Sequence, residues 1–205
     1  MSERLDAVPA IEQETPVSSG WRTILACAVA FNFPIGFAFG SFSSLVATNE
    51  IAVGADRASI SFGMSCIVTA IGLSSLFLGS LVQRLSPRLV IGAGLALCAA
   101  AYAVLGVTSS LSILLAMYAV IGVGCGLASI LGPVIVVARQ FPGRSGQILG
   151  IANTPVVLFA THYLVALILP HVGREAVYLL MAVILAALLP LVLLLPGATA
   201  PASQH

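Results

Sequence analysis

The stretch that decides the fold is Gly79-Ser-Leu-Val-Gln-Arg-Leu-Ser-Pro-Arg88, a short polar connection between two long apolar runs. It holds Arg84 and Arg88, two of only eight basic residues in a chain of 205. A glycine inside an apolar run, then two arginines at a tight turn, is the arrangement expected where a pair of membrane helices turns on the cytoplasmic side. That placement fixes the direction of every other segment.

Working outward, six runs are long enough to cross a hydrocarbon core of about 30 Å at roughly 1.5 Å per residue. They cover approximately 22–47, 59–83, 89–108, 111–138, 147–169 and 175–195. The chain is 60% hydrophobic and 7% charged, against about 25% charged in a soluble domain, so the class is all-α polytopic membrane protein. A net charge of +1 provides no broad basic surface, which excludes nucleic acid as a partner. The partners expected are the lipid bilayer and a small organic solute.

Counting arginines over the short loops orients the bundle. Arg4, Arg22, Arg84, Arg88, Arg139 and Arg144 fall on one side; Arg57 and Arg174, each beside an acid (Asp56, Glu175), fall on the other. The first side is therefore cytoplasmic. Both termini then lie there, residues 1–21 as a disordered tail and 196–205 as a short one. The expected location is a cell membrane of the bacterial inner-membrane kind.

The runs differ in their polar faces. Asn32, Gly36, Gly40 and Ser43 mark the first; Ser61, Ser65, Thr69, Gly72, Ser75 and Gly79 mark the second. Tyr118, Gly122, Gly126, Ser129 and Pro133 mark the fourth, and Gln147, Thr154 and Thr161, with His162 beside them, mark the fifth. Spacings of three, four and seven put such residues on one helical face. The third and sixth runs offer little beyond Tyr102 and Tyr178. Polar faces are costly against lipid, so runs 1, 2, 4 and 5 are expected inside, with 3 and 6 toward lipid. The order polar, polar, apolar occurs twice, as two inverted three-helix repeats would give.

At this point Gly79-x-x-x-Gln83-Arg84-x-Ser86-Pro87-Arg88 resembles the loop 2–3 signature of the major facilitator superfamily. Gly79, Arg84 and Arg88 match; Gln83 stands where the signature has an acid, and Ser86 and Pro87 also depart. The run from Tyr118 through Gly122, Gly124 and Gly126 to Gly132-Pro133 resembles helix 4 of the monocarboxylate and oxalate–formate branch. Phe141-Pro-Gly-Arg144 through Gly150 to Asn153 is similar to that branch's entry into helix 5, and Gly173-Arg174 fits before helix 6. The resemblance covers 22–195. It implies half of a twelve-helix, alternating-access transporter, lined by helices 1, 2, 4 and 5, for a monocarboxylate or other organic anion. The chain would need a separate C-terminal half or a second copy of itself; a truncated remnant without transport, or a structural membrane protein, is the alternative. The family's gating role for the loop loses its acid at Gln83.

Substrate-path candidates are Asn32, Ser65, Thr69, Tyr118, Ser129, Thr154, Thr161 and His162. His162 is the one intramembrane group that ionises near neutrality: a proton acceptor or carboxylate ligand, or a neutral ring bonded between helices. No Asp, Glu, Lys or Arg lies deep in a run, which weakens proton coupling carried by these helices alone. Asn32 before Pro34, and Asn153-Thr154 before Pro155, are substrate contacts or braces for a kink. Gly36, Gly40, Gly122 and Gly126 allow close helix packing. Gly122-x-Gly124-x-Gly126 is no nucleotide loop, since no strand precedes it. The cysteines at 27, 66, 98 and 125 share no ligand spacing, so no metal or cofactor is expected. No enzyme is expected either; an intramembrane protease built on Ser129 and His162 would lack the usual turn around its nucleophile.

Overall fold

The computed structural model describes residues 17–82, 86–141 and 143–193, and these form helices and short connections with no strand among them. In chain order the helices are α1 (Val17–Gly40), α2 (Phe42–Val53), α3 (Arg57–Val82), α4 (Pro87–Val107) and α5 (Leu111–Cys125). A π-helical segment, Gly126–Leu131, follows, then α6 (Gly132–Gln140), α7 (Ser145–Ala152) and α8 (Val156–Leu193). Among the described residues five stretches are long and apolar enough to cross a membrane. The expected runs at 147–169 and 175–195 share the last of them, the 48-residue Ser145–Val192. Inside α8, however, Gly173 leaves helical geometry at φ 79°, ψ 170°, a region open to glycine because it lacks a Cβ. Most of the expected tails, and Gln83 and Arg84, lie outside the described residues.

Local chemistry sets the breaks. Ser41 returns its hydroxyl to the Phe37 carbonyl at 2.6 Å, a back-bond that bends a helix, and α1 gives way to α2 there. Gly54 ends α2 in the left-handed region with its N–H on the Glu50 carbonyl. Pro87 opens α4 at a position where a missing N–H costs nothing. Pro133 cannot donate within the rod formed by α5, the π segment and α6, and the backbone widens just ahead of it: Gly132 N–H reaches back five residues to Leu127.

Asp56 caps α3. Its carboxylate accepts the Ser59 hydroxyl at 2.6 Å and the backbone N–H groups of Ala58 and Ser59 at 3.1 and 3.3 Å. The Ser59 hydroxyl first, then the Ser59 N–H, hold this carboxyl below the usual carboxylate range. A lowered folded-state pKa contributes stability above the unfolded value and loses it as pH falls through the folded one. The gap in melting temperature between the parent and Asp56→Ala should therefore be full at about pH 7 and shrink as pH falls below the ordinary aspartate value of about 3.9. A gap that stays constant would remove the cap from the account.

Four pairings hold the bundle, one of them α4 against α5 and the π segment. The part of α8 before Gly173 lies along α1, α3 lies along α5, and the part of α8 after Gly173 lies along α4. Glycines set the closeness. A Cβ at Gly36 would stand 3.0 Å from the Leu158 nitrogen, and one at Gly40 3.1 Å from the Thr161 Cβ. One at Gly122 would stand 2.7 Å from the Ala70 Cβ, and one at Gly126 3.2 Å from the Ser74 Cβ. Gly124, on the opposite face, meets Cys98 and Gly94 of α4. The apolar core is continuous through these crossings and includes Cys27, Cys98 and Cys125, all free thiols, as is the half-buried Cys66.

Candidate functional site

The eight path candidates separate into two groups. Ser65 and Thr69 stand exposed on α3, on the same side as Ser61 and Gly72, and no element covers them. Thr154 is exposed at the break between α7 and α8, where its hydroxyl closes on its own backbone at Gly150 (3.4 Å). His162 is exposed on α8. Asn32, Tyr118, Ser129 and Thr161 are buried between helices.

Asn32 braces the α7–α8 break. Pro155 supplies no N–H, and Val156 N–H turns back to the Thr154 carbonyl at 2.8 Å, so the Ala152 carbonyl has no donor from its own chain segment. Asn32 Nδ2 donates to that carbonyl at 3.0 Å, and Asn32 Oδ1 accepts from Val157 N–H at 3.5 Å. Its second amide hydrogen goes to Ala28 O at 3.0 Å. One side chain on α1 thus satisfies both lips of a broken helix. A groove of about 250 Å³ opens beside it, lined mostly by apolar atoms of Val29, Phe33, Ile151 and Val156.

His162 Nδ1 lies 3.3 Å from the Gly40 carbonyl and 3.3 Å from Ser43 Oγ. The carbonyl only accepts, so the bond to Gly40 requires the hydrogen on Nδ1. With that hydrogen in place Nε2 carries the lone pair; the other tautomer instead accepts the Ser43 hydroxyl at Nδ1, and the ring is exposed in either case. The arrangement is a base held where α1 gives way to α2. Ser129 is elsewhere: its hydroxyl donates to Ala30 O at 2.9 Å, ten residues along α1 from Gly40, about 15 Å. The two do not form a nucleophile–base pair.

Tyr118 belongs to a cluster that the sequence reading did not assemble. Asn49 Nδ2 donates to Tyr118 Oη at 3.0 Å and to Tyr178 Oη at 2.9 Å, and the two hydroxyls are 3.1 Å apart. Tyr102 stacks on Tyr178 at 6.2 Å between centroids. Arg174 lies over the Tyr178 ring at 5.6 Å and donates to the carbonyls of Leu105 (2.5 Å) and Thr108 (2.7 Å), where α4 ends. The available signal was faint: Asn49 stands between Thr48 and Glu50 just past the first run, where a polar residue reads as loop, and Tyr102 and Tyr178 lie on faces otherwise without polar groups.

Of the loop signature, Gly79 lies in the helical backbone of α3, and Arg88 sits in the first turn of α4 with its Nε buried and unpartnered. Among the described residues one ion pair is seen, Arg57 with Glu50 at 3.9 Å, and no cluster of three metal-binding side chains.

An all-helical, apolar bundle with a polar stripe left uncovered on one helix is the body of a polytopic membrane protein. Residues 24–205 match the Major Facilitator Superfamily, and the chain belongs to that superfamily of membrane transporters. No individual curated protein matches the sequence.

Proposed function

We propose that this chain forms one wall of an alternating-access path for a small organic anion, a monocarboxylate being the first class to test. In this reading Gly173 divides α8 into two crossings, giving six in all with both ends of the bundle cytoplasmic, and the six form two inverted three-helix repeats. The pairings support the repeat. Exchanging first for fourth, second for fifth and third for sixth turns the α1–α8 contact into the α3–α5 contact and returns the α4–α8 contact to itself. The glycine pairs obey the same exchange, Gly36 and Gly40 corresponding to Gly122 and Gly126.

The observation that carries the anion reading is His162. Protonation at the other ring nitrogen keeps the Nδ1–H bond to Gly40 and turns the ring into a cation on an exposed face of α8, where a carboxylate finds a charged donor. A single bundle supplies one side of such a path. The other side comes from a second bundle, either a C-terminal half or another copy of this chain related by an axis along the membrane normal.

The test is uptake of short monocarboxylates into liposomes, with the oligomeric state measured in nanodiscs alongside. His162→Ala should reduce uptake at least tenfold and flatten its pH dependence. Unchanged uptake between about pH 5 and pH 8 would remove His162 from the path. A folded monomer that takes up none of the acids would favour a non-transporting membrane protein.

A further inference from the structure

The first crossing passes at Gly40–Ser41 from α1 to the short helix α2; Ser41 keeps right-handed helical angles (φ −87°, ψ −21°), and its hydroxyl bond to the Phe37 carbonyl marks the joint. Its buried side chains are Phe42, Leu45, Val46 and Asn49. The inner three are apolar. Asn49, at the far end and fully buried, is the polar tie: both of its amide hydrogens are spent on Tyr118 of α5 and Tyr178 of α8. Three elements that are far apart in sequence thus meet at one side-chain amide.

The tie is satisfied on one edge and starved on the other. Asn49 Oδ1 is buried without a partner, and so are Tyr102 Oη and Arg174 Nε beside it. Counting protons sharpens this. The amide offers two hydrogens and the two hydroxyls one each, four in total, against three contacts within the triad. One hydroxyl hydrogen is therefore left over, and Oδ1 is left without a donor. Turning the amide over does not help: both hydroxyls would then donate to Oδ1, the contact between them would have no hydrogen, and the NH₂ would be orphaned instead. A buried cluster that cannot satisfy itself in either orientation is relieved when it meets water.

We propose that α2 is a hinged strap, pivoting at Gly40–Ser41, and that Asn49 with Tyr118 and Tyr178 is the latch that holds it closed. The hydrogen bonds favour the closed position; the orphaned Oδ1, the surplus hydroxyl hydrogen and the unpartnered Tyr102 hydroxyl favour release. The two positions are thereby kept close in free energy, as a moving part needs. Arg174, pinned to the end of α4 and lying over Tyr178, holds the fixed side of the latch. Ser43, on the strap, contacts His162, so movement of α2 also changes the partners of that ring.

Spin labels at Ile51 on α2 and Val107 at the end of α4, both strongly exposed (84% and 79%), report the strap position by pulsed dipolar spectroscopy in nanodiscs. Cys66, the one thiol not fully buried, is replaced by Ser. The parent should show one dominant distance. Tyr178→Phe removes one hydroxyl with little change of shape and should raise the population of a second distance roughly fivefold, and Asn49→Leu should raise it further. Tyr163→Phe, an exposed tyrosine on the same helix, should leave the distribution as it is. If Tyr178→Phe folds with the parent's melting temperature within a degree or so and gives the parent's distribution, the latch is wrong. It is equally wrong if Tyr163→Phe produces the same second distance.

Discussion

Replacing Gly122 by alanine should lower the stability of the bundle by about 1–3 kcal/mol, and replacing it by leucine should abolish the folded population. Two effects oppose each other at this position. Alanine is the better helix former by about 1 kcal/mol, which alone would make the change stabilising. Against that, the new Cβ would fall on the Ile67 carbonyl and within 2.7 Å of the Ala70 Cβ, and neither is the tip of a flexible chain. The α3 and α5 axes must then separate, and the contacts around Gly126 and Ser74, one turn further along, separate with them. Overpacking therefore wins. Gly72→Ala is the internal control: nothing lies within 4 Å of a Cβ there, so the propensity gain should stand unopposed. Melting followed by size-exclusion chromatography in mild detergent gives both numbers. Equal effects of the two alanines would mean that the glycine crossing is not the close contact it is here.

Asn32→Leu should cost about 2–5 kcal/mol, the second large effect. Leucine fills a similar volume but returns neither hydrogen bond, leaving the Ala152 carbonyl and the Val157 N–H unpaired where the chain is buried, each at about 1–3 kcal/mol. Thr154→Ala, two residues beyond Ala152, loses one long bond at an exposed position and should fall within about 0.5 kcal/mol of the parent. The pair separates a brace from a general sensitivity of the break. Amide hydrogen exchange across 152–158 should accelerate in Asn32→Leu and not in Thr154→Ala. Protection unchanged in both would show that the break is held by something other than Asn32.

How much of this was legible in the sequence depended on which physical signal a residue carries. Length and apolarity picked out stretches able to cross a membrane, because the bilayer sets a length that composition alone reveals. The small-residue spacings of Gly36, Gly40, Gly122 and Gly126 pointed to close approach, and in the structure a neighbouring helix lies against each of them. Gly173 fell in the gap between two runs read as helices, and the backbone leaves helical geometry at that residue. Asn32 was legible as a residue near a proline, but the proline whose damage it repairs is Pro155 of another helix, a relation carried by tertiary packing. The stripe Tyr118, Gly122, Gly126 and Ser129 was read as one face, yet the widened backbone at Gly126–Leu131 turns Ser129 toward α1 while Gly122 and Gly126 face α3. A periodicity of 3.6 cannot foresee a π segment. Asn49 had no partner in any spacing rule, since its partners are 69 and 129 residues away.

The interruption at Gly173 also has a mechanical meaning. A helix transmits twist along its axis because each turn is bonded to the next, and at φ 79°, ψ 170° that chain of bonds stops. A rotation of the arm bearing His162 therefore dies out before it reaches the arm bearing Tyr178. One route between them runs sideways through α2, from Ser43 to Asn49. The short helix that touches both links them, and α8 is two separate levers that meet at Gly173.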